Sequence, residues 1–213
     1  MIRSFVRLSV CGTLLLAGIC AWAQAEFSAE MYELQKGETL QAKMYFGKDK
    51  IRFEPAKKDM RGGGAFILNL STQTSIVLMD AQHMYMEMPQ QMAGRSNPYA
   101  NNFFRTGDVD AACSDWVQQA RNKGSTCKRI GSDTVSGRSC VKYEATNQNG
   151  ETTNFWIDPK LRFPIKAQSK NSSWELRNIQ EGSQPASLFE VPAGYSKFDM
   201  GNMGGMGGMQ PPH

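Results

Sequence analysis

Histidine is almost missing from this sequence of 213 residues, which holds only His83 and His213. The commonest general base, proton shuttle and metal ligand is therefore absent from most of the chain. The spacings G-x-S-x-G, H-E-x-x-H and C-x-x-C are absent too, and the acids form no distinctive pair. Gly62-Gly63-Gly64 lacks the Lys-Ser/Thr and the strand-to-helix context of a phosphate loop. No catalytic apparatus and no cofactor is expected. Also lacking is an apolar run of the ~20 residues that a membrane-spanning helix needs. Charge of one sign is not in excess, since 24 Lys and Arg face 20 Asp and Glu and the charges are interspersed. That distribution gives no clustered basic face for nucleic acid.

What is present begins with a processing signal. Arg3 and Arg7 precede the short apolar stretch Leu8 to Trp22, and Ala23-Gln24-Ala25 follows with small residues at the cleavage spacing. Residues 1–25 read as a secretory signal peptide, with cleavage between Ala25 and Glu26. Two basic residues leave with it, so the mature chain is close to neutral. Cys11 and Cys20 leave as well, and Cys113, Cys127 and Cys140 remain. In an oxidising compartment two of these pair and one is left over. Three pairings are open; Cys113–Cys127 is preferred, because it would staple a short helix to the following strand. Cys140 then reads as a small buried hydrophobe.

The mature chain reads as strands at 27–34, 39–46, 50–54, 65–70, 75–79, 83–88, about 127–130, 138–146, 151–157, 163–169 and 173–180. Polar turns separate them, and Asn149-Gly150 marks a hairpin. Long crossover helices are lacking, which excludes a parallel sheet and leaves an antiparallel meander. Residues 89–108 break the rhythm with a stretch rich in Asn, Gly and Gln. Val109, Ala112, Cys113, Trp116, Val117 and Ala120 then fall on one helical face, with Asp108 as N-cap and Gly124 as the stop. The expected fold is mainly β with one helix (α+β), an open or half-closed antiparallel barrel over residues 26–199 with the amphipathic helix laid against it. Residues 200–213 are a Met/Gly-rich tail that cannot build a core.

Trp156-Ile157-Asp158-Pro159-Lys160, followed by Phe163-Pro164-Ile165-Lys166, resembles the W-I/V-D-P…P-I/L-K/R hairpin of LolA-like periplasmic proteins, the superfamily of the lipoprotein carrier LolA and its receptor LolB. One branch of that superfamily, a domain of unknown function, is similar over more of the chain. It matches at Phe27-Ser28-Ala29, Met84-Tyr85-Met86-Glu87-Met88, Gly137-Arg138-Ser139-Cys140-Val141-Lys142-Tyr143-Glu144, Trp174-Glu175-Leu176 and Leu188-Phe189-Glu190-Val191-Pro192-Ala193-Gly194-Tyr195. The resemblance implies an eleven-stranded incomplete LolA-like barrel around an apolar cavity, in a periplasmic protein.

Met84, Met86 and Met88 recur at period two, so their flexible thioethers share one face of a strand. With Ile76, Leu78 and Trp116 they are the candidate lining of a cavity for a lipid, acyl chain or lipidated protein; an ordinary core face is the alternative for the same residues. A soft-metal site is a further alternative, using His83 or the tail residues Met200, Met203, Met206 and Met209, since thioethers suit Cu(I). A third reading is an envelope sensor or scaffold binding a partner protein. The 89–122 segment is the natural lid.

Overall fold

The computed structural model describes residues 25–35, 37–57, 64–89, 92, 104–118 and 123–198. Residues 1–24, which hold nearly all of the expected signal peptide, most of 90–103 and residues 199–213 lie outside these.

Twelve strands form a single sheet: β1 (Phe27–Glu33), β2 (Thr39–Phe46), β3 (Lys50–Pro55), β4 (Phe66–Asn69), β5 (Thr74–Met79), β6 (Met84–Pro89), β7 (Thr126–Val135), β8 (Arg138–Thr146), β9 (Thr152–Asp158), β10 (Phe163–Ser169), β11 (Ser173–Glu181) and β12 (Ser196–Lys197). Their order is β12-β6-β5-β4-β3-β2-β1-β11-β10-β9-β8-β7. Two meanders, β1–β6 and β7–β11, are thus joined where β1 pairs with β11. Every pairing is antiparallel except that of β12 with β6. The end strands β12 and β7 do not meet, so the sheet is open.

Alternation along each strand separates two faces. Phe27, Ala29 and Met31 of β1, Ala42, Met44 and Phe46 of β2, and Phe163, Ile165 and Ala167 of β10 join one buried cluster. The rings of Phe46 and Phe163 lie 4.7 Å apart although β2 and β10 are three places apart in the order. A flat sheet would hold those strands ~14 Å apart. The sheet is therefore curled, and the main core fills its concave face.

Helix α1 (Ala112–Gln118) packs at the β7 end of that concavity. It begins three residues later than the apolar spacing predicts, because 108–111 forms turns instead: Ala111 and Ala112 donate to the Asp108 and Val109 carbonyls. The Asp115 carboxylate accepts from the Thr106 hydroxyl (2.6 Å) and the Gly107 amide (3.2 Å), tying the lead-in to the helix. Trp116 and Phe104 pack on Phe155 of β9, and the Tyr143 hydroxyl donates to the Val109 carbonyl. Cys113 and Cys127 are disulfide-bonded, with Cα atoms 5.3 Å apart, which joins α1 to β7.

Strand β7 continues past the expected 130 to Val135. A register shift between Arg129 and Gly131, where Gly131 takes φ 151°, carries the pairing through. Residues 186–195, which show no alternation, cross the convex face of β3–β6 and end in β12.

Candidate functional site

The cross-strand register of β4–β6 assembles an apolar wall on the concave face. Phe66 pairs with Val77, Leu68 with Ser75, Val77 with Met86, Ser75 with Met88 and Met79 with Met84. Ile51 and Phe53 of β3 continue the wall, and the Phe53 and Phe66 rings meet edge to face at 6.2 Å. Burial is graded along it. Leu68, Ser75 and Met88 are buried, whereas Phe66, Val77, Met79, Met84 and Met86 are half-buried. Val77, Met79, Met84 and Met86 join neither hydrophobic cluster of the described residues. The fully buried Ser75 hydroxyl has no hydrogen-bond partner among the described residues. This end of the concavity presents adaptable apolar side chains beside one orphan polar atom.

The six candidate lining residues do not share one wall. Met84, Met86 and Met88 stand on the concave face together. Ile76 pairs with Ile67 and Glu87, and Leu78 with Tyr85, which puts both on the convex face. There they pack in or against a second, smaller cluster with Ala65, Ile67 and Phe189. Trp116 is concave but stacks on Phe155 at the β7–β9 end, with a centroid distance of 6.3 Å. Phe66, Val77 and Met79 are the wall residues that a choice of Ile76 and Leu78 passes over; the period-two rule points to Val77 and Met79 once β6 is taken as concave. His83 is likewise set apart from the methionine row, its ring 5.7 Å from that of Tyr195. Met200, Met203, Met206, Met209 and half of the 89–122 segment, chiefly 93–103, lie outside the described residues.

The hairpin that carries the family resemblance builds the scaffold. The Trp156 ring lies between two ammonium groups, Lys142 at 4.7 Å and Lys166 at 5.2 Å, and its indole N–H donates to Asp133 at 2.9 Å. That hydrogen bond is the main reason why the Asp133 carboxyl sits below its ordinary value. The Asp158 carboxylate closes the β9–β10 turn by accepting from the Lys160 and Leu161 amides, and it pairs with Arg138. At the other end of the core, the Arg105 guanidinium donates to the Ala25 and Gly47 carbonyls; burial lowers its pKa. It anchors the segment that leads into α1.

Among the described residues no group of three or more His, Cys, Asp or Glu side chains could hold a metal ion. No helix of the described residues is long and apolar enough to cross a membrane.

No family model matches the sequence, and neither does any curated protein. Solved structures do resemble the fold. A conserved uncharacterized protein from Thermus thermophilus superposes with a TM-score of 0.52 at 11% identity, over 82% of this chain and 90% of that one. A MucA/MucB complex of Pseudomonas aeruginosa matches at TM-score 0.38 and 12% identity, over 80% of this chain and 57% of that one. A LolA superfamily protein from Nitrosomonas europaea matches at TM-score 0.31 and 10% identity, over 78% of this chain and 88% of that one. The last two scores are too low to bear on ligand or partner.

Proposed function

We propose that this chain is an exported, periplasmic binding or carrier protein that holds a lipid, acyl chain or lipidated protein on the β4–β6 end of its concave face. The observation that carries this reading is the row of half-buried side chains Val77, Met79, Met84 and Met86, an apolar wall left outside the core clusters beside Phe66 at the core's edge. The mechanism is non-covalent. Each buried methylene contributes ~0.8 kcal/mol, and unbranched thioethers adapt to a chain of irregular course. Export rests on residues 1–25.

A charge on the wall separates this reading from ordinary packing. Met86→Glu places a carboxylate where an acyl chain would lie. It is expected to abolish the binding of a fluorescent fatty acid such as cis-parinaric acid while costing little stability, because Met86 is only half-buried. Undiminished binding by a folded Met86→Glu protein would remove the concave wall from the mechanism.

A copper reading has one observation in its favour: Met79 pairs with Met84, so three thioethers, Met79, Met84 and Met86, adjoin on one face. Cu(I) titration of the chain with and without residues 200–213 separates the strand from the tail as the binding element.

A further inference from the structure

We infer that a second ligand site lies on the convex face, between β3–β6 and the crossing segment 186–195, and that it takes a small anion with an apolar body. The crossing segment is held down at several points. Arg52 donates to the Leu188 carbonyl at 3.0 Å, the Tyr195 hydroxyl donates to Asp80 at 2.8 Å, and β12 pairs with β6. Beneath it Ala65, Ile67 and Leu78 form the small second core with the segment's own Phe189. That core does not fill the whole interval. A cavity of about 330 Å³ remains, with Ile67, Ile76 and Phe189 as its apolar surfaces. At ~30 Å³ per water-sized group this is room for about ten heavy atoms.

The polar rim consists of Lys50, Asn69, Thr72, Thr74 and Glu87, and most of its groups are already engaged. The Asn69 side-chain oxygen closes the β4–β5 turn by accepting from the Ser71 and Thr72 amides, both at 3.0 Å. The Thr72 and Thr74 hydroxyls bond each other at 2.7 Å. Glu87 is paired with Lys197 at 3.0 Å. Lys50 is half-buried, and its ammonium group has no ion pair or hydrogen bond among the described residues. The cavity wall thus carries one uncompensated positive charge over an apolar floor, which selects a monoanion and disfavours a cation or a polyol. The site is separate from the concave wall, because Ile67 and Ile76 project from the opposite face of the sheet to Val77 and Met86.

Methyl NMR of the full chain, labelled at isoleucine δ1 and methionine ε, resolves the two faces. Titration with sodium octanoate is expected to move the Ile67 and Ile76 methyls saturably, and the neutral octanamide is expected to bind about ten-fold more weakly. Lys50→Gln, at a half-exposed position, should lower octanoate affinity by a similar factor while leaving the methyl spectrum otherwise intact. Shifts confined to the Met84 and Met86 methyls would overturn the site. Equal affinities for octanoate and octanamide, or no change in Lys50→Gln, would overturn the role given to the charge.

Discussion

The Cys140 thiol lies 1% exposed beside the Arg138 carbonyl, and burial pushes its pKa up to about 12. A thiolate is the reactive form, so iodoacetamide at about pH 8 should leave Cys140 unmodified in the folded protein and alkylate it in guanidinium. Rapid labelling of the native chain, followed by peptide mapping, would contradict this. Glu175 shows the opposite balance. Burial raises its pKa, but hydrogen bonds from Ser136 and Arg177 and the nearby Lys166 outweigh that and hold it below the ordinary carboxylate value. A depressed folded pKa contributes stability above the unfolded value of ~4.3, and this is lost as pH falls through the folded value. Thermal melts from neutral pH to about pH 3 should therefore show Glu175→Gln less stable than the parent near neutrality, with the gap closing in acid. A gap independent of pH would mean that the carboxylate contributes no linkage.

At the scale of elements, the strands were legible as short apolar-rich runs between polar turns, and eleven of the twelve coincide with such runs. Burial alternates cleanly in β1 but not in β9 or β11, which are buried on both faces over part of their length. The register between β5 and β6 was not legible. It is set by the 3-10 turn Asp80–Gln82 and by His83 at φ 50°, and neither leaves a hydrophobic signature. That turn decides that Ile76 and Leu78 oppose Tyr85 and Glu87 instead of joining the methionine row. The crossing segment 186–195 and the two-residue β12 escaped for a related reason, since they pack by isolated anchors such as Phe189. Spacing placed the helical face near Trp116 but not its start, because Asp108 and Asp115 hold 106–111 in turns by side-chain hydrogen bonds. For the disulfide between α1 and β7, with a sequence separation of 14, the chain-entropy model gives ~3 kcal/mol. The Cys113→Ser/Cys127→Ser double variant should lose about that much in denaturant unfolding. It should also show faster amide exchange in α1 than in β8; a protein unchanged in both would show that packing alone holds the helix.

For the whole molecule, curvature links these details to function. Joining two meanders at β1–β11 lets the sheet curl until Phe46 touches Phe163, which fills the middle of the concavity. The Trp156–Lys166 hairpin then serves as scaffold: its tryptophan, aspartate and lysine are all engaged within the sheet. The proposed lipid-holding surface is what the curled sheet leaves uncovered, at the β4–β6 end. Native mass spectrometry of the protein, purified without detergent, tests that directly. It should show protein carrying co-purified acyl-chain mass, and Met86→Glu should remove that mass while the chain stays folded. Bare protein at every collision energy, or bound lipid retained by Met86→Glu, would contradict a lipid-holding concave face.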